Sequence, residues 1–209
     1  MIGKAKSISH GINDIRYITG EARNKENPEK INLIHNYFMS NHLDALGIWH
    51  AIDLNLARFR PIKNSVVRIE LSASKEHTMN FSNADWKQLW DDFIEEFDKQ
   101  ELFDKKGKLV SKKTNLANTI GTVWLHHDSK GGVPHLHGAF SRFDNEGNIN
   151  NDHNIMVHSA DSTMKETLIT TTTFICVRSV QLKEWQRSVD GLRLTRFIQQ
   201  TANLFLMIV

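Results

Sequence analysis

Alternation and helical spacing divide the first two thirds of the chain into recognisable segments. "KAKSISH" (4–10) alternates polar and apolar positions as a half-buried strand does, and "GINDIRYITG" follows as a turn and helix start around Gly11 and Asn13. In "NPEKINLIHNYFMSNHL" (27–43), Ile31, Ile34 and Phe38 recur at helical spacing behind Asn27 and Pro28, a cap and first-turn pair, so a helix is expected there. "SVVRIELSAS" (65–74) is rich in β-branched residues and reads as a strand. Ser82-Asn83-Ala84-Asp85 opens a strong amphipathic helix whose apolar stripe is Trp86, Leu89, Trp90, Phe93, Ile94 and Phe97. Six lysines between Lys99 and Lys113 surround Gly107 in a basic loop or turn. "NTIGTVWLHHD" and "VPHLHGAFSRF" are two strands joined by a glycine turn, most simply an antiparallel hairpin. Farther on, "TLITTTTFICV" has strand propensity, and the pattern from Ser179 onward is helical. This order predicts an α+β protein, a central antiparallel sheet with flanking helices. The predicted division is a core over residues 1–155 and a mainly helical C-terminal segment over 156–209.

Composition narrows the class without naming it. A chain of 209 residues, 40% hydrophobic and 24% charged, can bury a core and is neither disordered nor a coiled coil. A net charge of +2 permits nucleic-acid binding without requiring it, because a local basic face matters more than the total. The single cysteine, Cys176, excludes an internal disulfide and a cysteine-based zinc site, and fits a reducing cytoplasm. No apolar run follows Met1 as a signal peptide would require, and "NLFLMIV" is too short to span a bilayer, so a cytoplasmic protein with no membrane insertion is expected.

The candidate chemistry lies in "VWLHHDSKGGVPHLHGAFSRFD" (123–144). Imidazoles at alternating positions of a strand project from one face, so His135 and His137 form a candidate metal pair, beside Gly138, whose missing side chain leaves the neighbouring face open. His10, His35, His42, His50, His77 and His158 show no such pattern and read as exposed or core-satisfied histidines. A third ligand has to come from the partner strand, and hairpin parity selects it. If Lys130 opposes Val133, His126 lies opposite His137; if residue 128 opposes 133, His126 lies opposite His135. Both even-length loops therefore favour His126, whereas an odd loop or a bulge substitutes His127. Three neutral imidazoles leave coordination positions open on a divalent ion, which suits polarising a phosphate oxygen. Asp128 falls on the same face as His126 and either orients a ligand imidazole or simply starts the turn.

His126-His127-Asp128, followed by Pro134-His135-Leu136-His137 and Arg142, resembles the third motif of conjugative relaxases, the mobilization nucleases of the HUH endonuclease superfamily. "KSISHGINDIRYITG" is similar to the first motif of that family, a strand and helix start bearing the nucleophilic tyrosine. The likeness covers roughly residues 3–20 and 120–155 directly. Neighbouring histidine families fit less well. A histidine-triad hydrolase needs a third alternate histidine where Ala139 stands, and a cupin needs a glutamate where Ser141 stands. Rolling-circle initiators place their tyrosine after the histidines, but the chain's only tyrosines, Tyr17 and Tyr37, both precede them.

Of the two, Tyr37 falls in the expected amphipathic helix beside Phe38, whereas Tyr17 follows Lys4, Lys6, His10 and Arg16, a basic setting suited to a phosphate backbone. A phenol ionises only near about pH 10 and needs a nearby metal or base to act as a nucleophile. The resemblance implies an HUH-like fold and an enzyme: a single-strand DNA endonuclease and strand transferase that nicks and rejoins the transfer origin of a mobilizable plasmid or element. In it, Tyr17 forms a 5′-phosphotyrosine link, with His126, His135 and His137 on the metal and Asp128 in support. It implies magnesium or manganese as the ion, although imidazoles also accept zinc, nickel or cobalt. Lys4, Lys6, Arg16 and Arg142 are the expected DNA contacts. Single-stranded origin DNA, and mobilization accessory and coupling proteins, are the expected partners. A phosphodiesterase using activated water and a non-catalytic DNA-binding accessory protein are the alternatives.

Overall fold

Period-2 alternation builds the centre of the molecule. The computed structural model describes residues 2–9, 11–22, 28–127, 129, 131–153 and 155, all within one unit, Met1–Thr167. The strand and helical patterns expected beyond residue 155, and Cys176, lie outside the described residues. β1 (Ile2–Ile8), β2 (Ile31–Tyr37), β3 (Val66–Ser72), β6 (Gly121–His126) and β7 (His135–Ser141) form one five-stranded sheet in the order β1-β3-β7-β6-β2. Every neighbouring pair is antiparallel. Among the described residues, four helices, α1 (Gly11–Ile18), α2 (Ala45–Ala57), the short α3 (Lys75–Thr78) and α4 (Asn83–Lys99), accompany it, giving the expected α+β architecture.

Each face of the sheet has its own core. Val67, Ile69 and Leu71 of β3, Val123 and Leu125 of β6, and Leu136 and Phe140 of β7 pack with the α4 stripe of Trp86, Leu89, Trp90, Phe93, Ile94 and Phe97. The intervening Val66 and Ala139 instead join Ile15 and Ile18 of α1 and Ala45, Ile48 and Ile52 of α2. The expected α4 helix begins at a reciprocal capping box: Asp85 N–H donates to Ser82 Oγ, and Ser82 N–H donates to Asp85 Oδ2 at 2.7 Å. The neighbouring face at Gly138 is not left open as expected. The place of Gly138 lies on the α4 side, where an added Cβ would come within 2.4 Å of the Trp90 indole, so glycine lets the helix approach the sheet.

Two elements differ from the hydropathy pattern. Residues 31–37 are a strand, not a helix: β2 pairs with β6, and a register shift between Leu33 and His35 breaks the alternation. That irregularity sets Ile31 and Ile34 three residues apart and mimics a helical period. Helix α2 has no counterpart in the sequence reading. It is apolar on several sides, with Leu46 and Leu54 exposed while Ile48 and Ile52 are buried, so it shows no single stripe. The lysine-rich segment is a small hairpin, β4 (Leu102–Phe103) with β5 (Leu109–Ser111), turning at Gly107 with φ 77°.

Candidate metal centre

The hairpin of β6 and β7 decides which histidines meet. His126 pairs directly with His135, the second of the two even-length registers, and the ladder continues through Trp124 opposite His137. Side chains of His126, His135 and His137 therefore leave one face, and their potential ligand atoms all lie within 4.8 Å of one another. Ring centroids stand 5.4 Å apart for His126–His135, 4.4 Å for His126–His137 and 4.8 Å for His135–His137. Both strands are interior to the sheet, so the centre rests on the stiffest part of the fold. His126 and His137 are buried, while His135 is half-buried and opens the centre to solvent. His127 points away and is exposed, its backbone N–H donating to Lys30 O.

Hydrogen bonds orient two of the rings. A backbone carbonyl can only accept, so the imidazole nitrogen that faces one carries the proton. His126 Nε2 lies 2.8 Å from Ile18 O, which leaves Nδ1 as its lone-pair atom. His135 Nδ1 lies 3.2 Å from Val133 O, which leaves Nε2. Such outer contacts fix the ring and raise its basicity as a ligand. Three imidazoles with potential ligand atoms this close together could hold a divalent cation, with nitrogen donors that do not by themselves select among transition ions.

Around the histidines stand groups from two other elements. Tyr17, on α1, places its ring 5.8 Å from His126 and 5.7 Å from His137. Arg68 and Glu70, neighbours on one face of β3, were not singled out in the sequence. Glu70 sits directly opposite His137 in the β3–β7 register, with Oε1 3.9 Å from His137 Nδ1. Arg68 bonds Asp14 of α1 and Glu70, each at 2.6 Å. Burial pushes the Asp14 carboxyl above its ordinary range, against the opposing pull of Arg68. A signal for these residues did exist: charges at 68 and 70 alternate with Val67, Ile69 and Leu71, and charges on an interior strand demand partners.

The other expected residues divide sharply. Tyr37 is on the α4 side, where it packs against Phe140 and donates its hydroxyl to Asp91 at 2.8 Å. Burial, and then the Asp91 carboxylate, hold its phenol far above the ordinary range. Lys4 and Lys6 are exposed on β1, paired in register with Glu70 and Arg68, and so flank the centre. Arg16 is exposed on α1. Arg142 is not at the surface as expected. It is 3% exposed, donating Nε to Asn150 O and Nη1 to Asn64 O and Asp152, so its guanidinium ties loops together instead of meeting a phosphate. Asp128 lies outside the described residues.

Compared with known proteins, the chain matches no protein-family model and no curated sequence. Among the described residues, no helix is long and apolar enough to cross a membrane.

Proposed function

We propose that the protein is a relaxase-like, HUH-type DNA strand transferase that uses Tyr17 as its nucleophile at the transfer origin of a mobile element. The observation that carries this reading is the company of Tyr17. Of only two tyrosines in the chain, one stands with its ring less than 6 Å from two histidines of a three-histidine centre, and the other is on the far side of the sheet.

In this reading Tyr17 Oη attacks a backbone phosphorus as it gives up its proton, the bond from phosphorus to the 3′ oxygen breaks, and that oxygen leaves as a 3′-hydroxyl, so the net proton transfer is from the phenol to the leaving oxygen. A phosphodiester is exchanged for a phosphotyrosyl ester, so a 3′-hydroxyl can attack in reverse and rejoin the strand. A divalent ion, when bound, would supply positive charge to the phosphate oxygens. His126, His135 and His137 would hold it, with magnesium or manganese as the proposed physiological choice. Glu70, opposite His137 in the β3–β7 register, is a carboxylate beside the centre, with Oε1 3.9 Å from His137 Nδ1; Asp128 would add a second carboxylate in support of the ligands. Lys4, Lys6 and Arg16 supply exposed positive charge for the backbone of the strand.

The test is a denaturing gel of labelled single-stranded DNA from the cognate origin, incubated with the protein and magnesium or manganese. A labelled species that stays with the protein through denaturation, and is lost with a chelator, is expected. Cleavage leaving only free ends would favour a phosphodiesterase using activated water. Binding without cleavage or metal dependence would favour an accessory DNA-binding protein.

A further inference from the structure

Arg68 joins the tyrosine helix to the histidine strands. It projects from β3 and spends both terminal nitrogens on carboxylates, Nη1 on Asp14 and Nη2 on Glu70, at 2.6 Å each. Asp14 lies on α1 three residues before Tyr17, so both are neighbours on one helical face. The guanidinium carbon stands 5.2 Å from the Tyr17 ring centroid, a cation–π placement. Nη2 is also 3.4 Å from His137 Nδ1. The side chain is 15% exposed, and Arg68 Nε and Asp14 Oδ2 are both buried without a hydrogen-bond partner, so the pair gives up hydrogen bonds to keep this geometry.

An arginine beside a phosphodiester site would ordinarily be read as a phosphate ligand. Here both terminal nitrogens already face a carboxylate oxygen at close range, so the guanidinium charge is shared between Asp14 and Glu70 before any phosphate arrives. Beyond these carboxylates, the guanidinium contacts Nδ1 of His137 and the face of the Tyr17 ring. We propose that Arg68, anchored by Asp14 and Glu70, is a positioning residue that fixes the Tyr17 ring against the histidine centre. This rests on Tyr17 being the nucleophile. Asp14 sets the distance of α1 from β3, Glu70 sets the tilt of the guanidinium, and the ring is left with one resting place. A lysine could keep the charge but not the planar two-carboxylate fork.

The two tyrosines make the idea measurable without DNA or metal. Protein labelled with 3-fluorotyrosine gives two fluorine resonances, assigned by Tyr17→Phe and Tyr37→Phe. In Arg68→Gln, the Tyr17 resonance should narrow and move toward that of free fluorotyrosine, while that of Tyr37, bound to Asp91 on the other face, stays in place. Arg68→Lys should give an intermediate shift. Because Arg68→Gln strands a buried carboxylate, the charge-matched pair Asp14→Asn with Arg68→Gln is measured alongside, and should free the ring while Tyr37 still reports a native fold. In single-turnover reaction with origin DNA, adduct formation should slow by roughly 10- to 100-fold with little change in DNA affinity, as expected when a reacting group is misplaced rather than lost. A Tyr17 resonance unmoved in both Arg68→Gln and the paired variant would overturn the proposal, as would a rate that falls only in step with DNA affinity. Should the wild-type protein form no adduct at all, the strand-transferase reading fails, and the fluorine spectra still decide whether Arg68 holds the ring.

Discussion

The two faces of the central sheet use the same strands for opposite purposes. On the α4 side, Val123, Leu125, Leu136 and Phe140 meet Trp90 and Phe93, and the one tyrosine present, Tyr37, is tied down by Asp91. On the other side, the residues between them, His126, His135 and His137, gather with Tyr17, Arg68 and Glu70. Because strand side chains alternate, a single register supplies both. A slip of one residue would send the imidazoles into the apolar core and the leucines to the opposite face, so the α4 packing that selects the register also assembles the histidines. The hydrophobic face sets the register, and the polar face carries the candidate chemistry.

The sharpest way to break this comparison is to exchange the tyrosines' roles. Tyr17→Phe should abolish covalent attachment of DNA while leaving DNA affinity nearly unchanged, since only the phenol oxygen is lost and the lysines remain. Tyr37→Phe should keep attachment and cost some stability through the lost bond to Asp91. An adduct that survives the first change and vanishes in the second would reverse the assignment of the faces.

Next in size are the histidines. Alanine at His126, His135 or His137 should weaken divalent-ion binding, measured by calorimetry, by roughly 10- to 100-fold or more, because two imidazoles hold an ion loosely. Nicking should fall with it. His127→Ala, at an exposed position outside the cluster, should change either quantity little. Equal losses at 126 and 127 would contradict the register.

On the apolar face the effects are on stability. Trp90→Ala should cost about 3–5 kcal/mol in denaturant unfolding, the usual range for deleting a buried aromatic. Gly138→Ala tests the same contact from the other side, since its methyl would meet the Trp90 ring. The smallest expected effect is at the start of α4. Ser82→Ala should cost about 1 kcal/mol as a lost N-cap. Hydrogen bonds from Ser82, side chain first and then backbone, hold the Asp85 carboxyl below its ordinary 3.8. A depressed folded pKa means the carboxylate's share of this cap is present above 3.8 and fades as pH falls through the lower folded value.

Legibility followed how local each signal was. The α4 stripe, its cap, the β6–β7 pairing and the choice of His126 could be read because each rests on residues near one another in the chain. β2 was misread because its bulge imitates a helical period, and α2 was missed because it is greasy on more than one side. Arg68 and Glu70 escaped because their partners, Asp14 and His137, lie 54 and 67 residues away in sequence, 68 − 14 and 137 − 70. Arg142 illustrates the converse: a motif position suggests a surface charge, and only packing reveals that Asn64, Asn150 and Asp152 enclose it.

The most direct test is to map the covalent link. Origin oligonucleotide is presented once single-stranded and once annealed to its complement, at fixed salt and manganese, and the protein is then digested and its DNA-bearing peptide sequenced by mass spectrometry. The account predicts one nucleotide-modified peptide, carrying a 5′-phosphate on Tyr17, formed from the single strand and not from the relaxed duplex, which resists bending into the site. Linkage at Tyr37, or efficient cutting of the duplex with no protein-bound nucleotide, would contradict it.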